Sequence, residues 1–408
     1  MSISDPEPGP RTSPRVVVVG GGIGGLAAAA FIHKAGLDVR VFEQAPQLGE
    51  VGAGLVVSPN AVRLLRRLGH LDRFLESAVE LEIGWEFRRW EDGAILSAEQ
   101  MTGRCEELYG ESSYVSHRAD LLDAIRAAVP PELVHLGKRC SGIDTRPDGV
   151  RVHFTDATSI DADVVIGADG VHSTIRGAIT TPAPAEYSGV CAFRALVPAE
   201  QAPEFARRPV QTLWLGPDHH LVHYPVSGGR KINIVAFAPA GDFTDESWSS
   251  TATVDELLAE FDGWDPRLIE LLHHAGTPGR WALLDRAPLP RWSNGRVTLL
   301  GDAAHPMFPF FAQGAVQAIE DAAALAQCLA SEPGNPEAAL SVYEQVRLPR
   351  ACRLQELSHE RKLVNHLPDG PEQRKRDSEL GTGDALRRSG WIYDYDAEAA
   401  AREVLTRC

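Results

Sequence analysis

No stretch of this chain approaches the roughly 20 consecutive apolar residues of a membrane helix, so a helical membrane protein is excluded. Paired cysteines are also missing. Cys105, Cys140, Cys191, Cys328, Cys352 and Cys408 are scattered with no C-x-x-C among them. That spacing leaves no zinc site, no redox pair and no disulfide frame, and suggests reduced thiols in a cytoplasmic protein. Positive charge is scarce: 40 Lys and Arg face 56 Asp and Glu, a net −16. Nucleic acid and anionic membrane are therefore poor partners. An anionic ligand would need a local positive group, because the global field opposes it. Residues 1–14 are rich in Pro, Ser and acid and lack the basic and apolar regions of a signal peptide, so a disordered start is expected. There is no internal repeat and no low-complexity linker.

What is present is a strand pattern that ends three times in glycine and acid. Val16-Val17-Val18-Val19 runs into Gly20-Gly21-Gly22-Ile23-Gly24-Gly25. Gly20, Gly22 and Gly25 fit G-x-G-x-x-G between a strand and a helix. The early glycines permit a tight turn and let backbone N–H groups approach a diphosphate, with the helix N-terminus adding about half a positive charge. A second apolar run ends at Glu43-Gln44, and Glu43 lies where a ribose hydroxyl is read in such folds. Val164-Val165-Ile166 then leads into Gly167-Ala168-Asp169-Gly170, and Val297-Thr298-Leu299-Leu300 into Gly301-Asp302-Ala303-Ala304-His305-Pro306. Parallel strands place their C-terminal ends beside the ligand, so all three signatures point at one crevice. The alternative for the two aspartates is strand-end capping.

The expected class is α/β (α+β): a Rossmann-like nucleotide domain with an inserted mixed-sheet substrate domain and a C-terminal helical region. The boundaries read as 15–180 with 296–330 for the nucleotide domain, 181–295 for the insertion and 331–408 for the helices. Glu50 to Gly54 forms a glycine-rich loop before a helix, and residues 80–100 alternate like a hairpin around Glu91-Asp92-Gly93. The insertion holds strands at Val190–Val197, Gln211–Leu215, His220–Pro225 and Lys231–Phe237, interrupted by one helix around Val254–His273. The polar stretch up to Arg388 is expected to be partly mobile.

These residues together resemble the single-component aromatic-ring hydroxylases, flavoprotein monooxygenases related to salicylate and hydroxybenzoate hydroxylases. The resemblance runs from about Arg15 to Asp396. Its most specific part is Gly301 to Met307, followed by Ala312-Gln313-Gly314-Ala315 and Ala318-Ile319-Glu320-Asp321-Ala322; Trp391 to Asp396 also matches. It implies FAD, NADH or NADPH as transient co-substrate, O2, and a small phenol-like aromatic acid, in a monomer or homodimer. It also implies roles. Gly20, Gly22, Ile23, Gly24, Gly25 and Glu43 would hold the ADP half of FAD, and Gln44 and Gly54 would also belong to the cofactor site. Arg118 would reach its phosphates or ribityl chain, unless it is a surface arginine at a helix start. Asp169 would order the phosphates and Asp302 would bind a ribityl hydroxyl. Gln313, Gly314, Ala315 and Val316 open a helix whose backbone donors would stabilise negative charge on a reduced flavin; the plainer reading of Gln313 is a polar filler.

The substrate side carries less signal. His220 and Tyr224 lie four apart, so a strand puts both on one face. In relatives a His and a Tyr at this spacing contact a phenol, where a base makes the ring more electron-rich. His219 and His223 leave open a solvated histidine cluster. Arg194 is either a carboxylate anchor or an exposed strand arginine. Pro309 stands where some relatives carry a polar catalytic residue. Two other functions stay open: epoxidation or oxidation of a larger polycyclic or polyketide substrate, and a flavin-binding sensor without turnover. No second nucleotide fold and no Trp-x-Trp-x-Ile-Pro element is present, against disulfide reductases, two-nucleotide-domain monooxygenases and flavin halogenases.

Overall fold

The computed structural model describes residues 14–49, 53–181, 185–243, 245 and 250–407. The expected disordered start, up to residue 13, and the Glu50–Gly52 part of the glycine-rich loop lie outside them.

A six-stranded sheet runs in the order Ser293–Asn294, Val297–Leu299, Val164–Gly167, Arg15–Val19, Asp38–Phe42 and Val134–His135. All pairs are parallel except the short outer one. Both faces are covered, which is why Val16 to Val19 read as an unbroken apolar run. The strands ending in the three signatures are neighbours, with Val164–Gly167 in the middle. Their ends are stitched together by Ala168 N to Val19 O at 2.8 Å and Leu300 N to Gly167 O at 3.0 Å. Two glycines are required here by contact. Gly20 has φ +110°, and a Cβ on it would sit 2.3 Å from the Ala168 carbonyl oxygen. A Cβ on Gly25 would sit 1.9 Å from the Gly20 carbonyl oxygen, so this glycine sets how closely the helix Ile23–Lys34 can pack on its strand.

A seven-stranded mixed sheet forms the second layer: Gly279–Asp285, Glu186–Pro198, Lys231–Pro239, His219–Val226, Val210–Gly216, Ile83–Arg89 and Ile95–Gln100. The last two strands, at one edge, correct the expected boundaries. The hairpin 83–100, assigned by position to the nucleotide segment, pairs with Val210–Gly216 in parallel and completes the substrate sheet. Strand order along a chain does not fix which sheet a hairpin joins. The sheet is buried on both faces. Phe193, Leu221, Ile234 and Ala236 pack under helices, while Val222, Val235 and Phe237 face a cavity.

The single helix expected around Val254–His273 is two, Val254–Glu260 and Pro266–His273. Each has its own start: a Thr253–Glu256 capping box, and Asp265 capping a turn with Pro266 at its first position.

The C-terminal region is not a separate body. The long helix Pro336–Asn365 packs on Gly314–Ser331, and Leu340, Tyr343, Ala351, Ala397 and Ala401 share the nucleotide-domain core. The polar stretch expected to be mobile contains the helices Pro371–Leu380 and Ala385–Arg388. Arg89 of the substrate hairpin bonds Asp369 and Asp377 there, tying the stretch to the sheet. Among the described residues no helix is long and apolar enough to cross a membrane.

Candidate active site

One cavity of about 710 Å³ runs from the first signature, across the other two, to the face of the substrate sheet. Gly20, Gly22, Ile23, Gly24, Glu43 and Gln44 line one end; Arg194, His220, Tyr224 and Phe237 line the other. Gly54, Arg118, Asp169, Asp302, Pro309, Gly314 and Ala315 lie along it. Gly25 and Val316 do not line it. Gly25 abuts Gly20, and Val316 is 1% exposed within the core.

The nucleotide end is made mostly by backbone. The helix Ile23–Lys34 starts at Gly22 with no side-chain cap and no acid in its first turn, so its free N–H groups are left for an anion. Glu43 is held in place by the Gly21 N–H at 2.6 Å and the Ala45 N–H at 2.8 Å, one to each carboxylate oxygen. Each oxygen keeps a lone pair for a hydroxyl. The helix Gly314–Ser331 likewise starts with no side-chain cap and no acid in its first turn.

The two aspartates differ. Asp302 is exposed to the cavity. Asp169 is occupied: its carboxylate accepts from Ser173 Oγ at 2.5 Å and from the Thr174 and Ile175 N–H groups at 2.7 and 3.2 Å. Its side chain caps the following turn, because that turn leaves its donors within reach of the strand end, while the residue itself lines the cavity. Arg176 joins the two signatures. Its guanidinium donates to the carbonyls of Val171 at 2.9 Å, Asp302 at 2.8 Å and Ala303 at 2.7 Å. Arg118 is partly buried in the cavity; burial lowers its pKa and the nearby Asp302 charge opposes that.

The Gln313 side chain belongs to the framework and does not line this cavity. It is buried, donating to Ser58 Oγ at 3.0 Å and accepting from Gln317 Nε2 at 3.2 Å. Behind it lies a buried ionic network whose composition the sequence showed but whose pairing it did not. Arg347 donates to Glu320 at 2.6 Å and Asp321 at 2.8 Å, and Arg350 donates to Glu320 at 2.8 Å. Asp321 also meets His305 Nε2 at 2.6 Å and accepts from the Gly301 N–H at 3.0 Å. Burial would raise the Asp321 carboxyl, but His305 and Arg347 outweigh it and hold the group down at about 2. The network fixes the Gly301–Asp302 turn to two helices. Thus the Glu320-Asp321 part of the third motif acts through structure. Arg347 and Arg350 carry no local sequence signal, because their partners lie about one helix away in sequence.

At the substrate end, strand alternation puts His220, Val222 and Tyr224 on the cavity face and His223 on the other. His223 is fully buried against Phe205 and Trp214, and burial pushes it down to about 3. His219 bonds Glu260 and the Pro217 carbonyl instead. His220 stacks on Phe237 with ring centres 4.3 Å apart, and Phe310 meets its edge. Burial lowers the His220 pKa well below its ordinary value, with the charges of His366 and Arg361 adding to that. Burial raises the Tyr224 phenol, opposed by Arg194, so Tyr224 keeps its proton. Arg194 is no exposed strand arginine: its guanidinium lies over the Trp281 ring at 3.9 Å, and burial followed by the Arg118 charge brings it to about 9. Two cations therefore face a cavity in a chain of net charge −16.

A parallel sheet whose strand ends meet a mixed sheet across a shared cavity is the arrangement of a nucleotide-binding fold with a second ligand site beside it. The FAD binding domain family matches residues 13–358, and the chain belongs to it. It is 42% identical to 3-amino-4-hydroxybenzoate 2-monooxygenase of Streptomyces cremeus over 93% of this chain and 94% of that one. Among solved structures it resembles a salicylate hydroxylase substrate complex, with TM-score 0.79, 31% identity and coverage of 96% of this chain and 98% of the other. It also resembles HpxO of Klebsiella pneumoniae complexed with FAD and uric acid, with TM-score 0.82, 28% identity and 95% and 97% coverage. The protein is an FAD-dependent aromatic monooxygenase.

Proposed function

We propose that the chain hydroxylates a small aromatic acid bearing a phenol, of the hydroxybenzoate, aminohydroxybenzoate or salicylate kind, with NADH or NADPH as reductant. The observation that carries this is the joining of two halves in one cavity. Uncapped helix starts, Glu43 and Asp302 fit the diphosphate, ribose and ribityl groups of FAD; His220, Tyr224 and Arg194 fit a phenolic acid. Gly20 to Gly24 would receive the diphosphate, Arg118 and Asp302 the polar chain, and the backbone of Gly314 and Ala315 the ring system. Bound FAD would supply the redox chemistry, taking a hydride and activating O2.

The chain's own residues handle the aromatic acid. Arg194, held over Trp281, attracts its carboxylate, and the Arg118 charge adds to the local potential. Tyr224 offers a hydroxyl to the phenol. His220 is kept neutral by burial and can accept the phenol proton at the ring nitrogen not engaged elsewhere. Phe237, Phe308 and Phe310 exclude water from the ring face.

The experiment is a panel of 3-amino-4-hydroxybenzoate, 3- and 4-hydroxybenzoate and salicylate given to FAD-loaded protein. Ligand-stimulated NADH or NADPH oxidation with O2 uptake and a product heavier by one oxygen atom is expected. Binding without stimulation by any of the four would favour a sensor.

A further inference from the structure

His220 is 1% exposed, yet a proton taken there from a phenol must leave the cavity. Its Nδ1 lies 2.7 Å from Nε2 of His366, which leaves Nε2 of His220 for the ligand. His366 closes the C-terminus of the helix Pro336–Asn365 and is only partly buried, so it stands between the sealed ring and the surface. The two rings are tilted, with centres 4.7 Å apart, and Phe310 makes a T-shaped contact with each.

We propose that His366 is the outer member of a two-histidine proton relay that carries the phenol proton from His220 to solvent. This rests on the reading of His220 above. At rest both rings are neutral, and His220 Nδ1–H donates to His366 Nε2, with the single N–H proton of His366 on Nδ1. The phenol O–H gives its proton to His220 Nε2. The Nδ1 proton of His220 passes to His366 Nε2, and the Nδ1 proton of His366 leaves to water. One proton enters and one leaves. Each ring ends neutral as its other tautomer, the bond between them now donated by His366, and the ligand is left as phenolate. Product protonation reverses the sequence.

A single buried imidazole does this poorly, because it must hold a charge that its surroundings disfavour. Burial, then His366 and Arg361, act against imidazolium at His220; burial, then His219 and Lys362, act against it at His366, which is brought to about 4. Those are the charged or titratable groups facing the pair from the strand and from the helix; His219 is itself bonded to Glu260. A tautomer exchange moves the proton without storing it. In this scheme His366 touches no ligand and is a positioning and relay residue.

The test uses FAD-loaded protein, 3-amino-4-hydroxybenzoate or 4-hydroxybenzoate, and a pH indicator in stopped flow. Wild type should release a proton as the phenol binds. His366→Gln keeps a hydrogen bond to His220 but cannot exchange tautomers. It should leave FAD and ligand affinity within about threefold while slowing proton release about 10²-fold, the lower end of what a positioned proton-transfer group supplies. His366→Ala should be equally slow and should recover with added imidazole, an arm that stands if the glutamine variant misfolds. Proton release at the wild-type rate in both variants would overturn the relay while leaving His220 in place. Absence of release in wild type with every hydroxybenzoate would overturn the reading of His220, and the relay with it.

Discussion

The two halves of the cavity are built from different material. At the nucleotide end, backbone N–H groups, close-packed glycines and two open helix starts form the surface, with Glu43 and Asp302 adding side chains. At the substrate end the backbone is consumed by sheet pairing, and the surface is made by side chains: Arg194, His220, Tyr224 and a ring of phenylalanines. Backbone geometry depends on a few glycines at fixed spacing, so it persists whatever the ligand ring. Side chains can be exchanged on a rigid sheet without altering the ladder. The first half suits a shared cofactor and the second a variable substrate.

Substitutions can separate the halves. The largest effect is expected from His220→Ala: hydroxylation about 10²–10⁴-fold slower, with more hydrogen peroxide released, while FAD affinity stays within about twofold. Loss of FAD from this variant would show that the halves are not independent.

A further effect is on stability and comes from three buried histidines, of which His223 is on the far face of the substrate sheet. Burial lowers His223 to about 3 and His366 to about 4, and lowers His220 well below its ordinary value. The unfolded chain binds protons to these groups more readily than the folded one. Their contribution is therefore complete above about pH 6.5 and is lost as the pH falls through the folded values. For His223, at about 1.4 kcal/mol per unit, the full loss is on the order of 4–5 kcal/mol near pH 3. His223→Leu should shift the acid-unfolding midpoint downward and leave hydroxylation coupled. An uncoupled His223→Leu enzyme would mean that this face communicates with the ligand.

Within the nucleotide half, Asp302 and Asp169 sharpen the contrast. Asp302→Ala removes a charged acceptor open to the cavity, worth about 1.5–3 kcal/mol. FAD affinity measured by titration should fall roughly tenfold to hundredfold. Asp169→Ala removes a cap. It should reduce stability by about 1 kcal/mol in urea denaturation and change FAD affinity by less than about threefold. Equal losses of affinity for the two variants would erase the distinction between a ligand-facing and a turn-holding aspartate.

The sequence by itself determined the strand-to-glycine turns of the nucleotide half. Gly20, Gly25 and the strand-to-glycine runs are local: the constraint and the residue that meets it lie within one strand–turn–helix unit. Alternation along one strand also sufficed to put His220 and Tyr224 together and His223 opposite. Only the tertiary structure decided the long-range partners. The hairpin 83–100 joins a sheet whose neighbouring strand begins at Val210, Arg347 reaches back to Glu320 and Asp321, and His366 meets His220 from 146 residues away. It also tied the Gln313 side chain into the framework and engaged the Asp169 carboxylate in a turn at the cavity wall, because a polar side chain bonds whichever donors or acceptors the fold brings nearest. Local patterns record backbone requirements. Which buried polar groups meet is fixed only when separate elements pack, since each must find a partner once water is excluded.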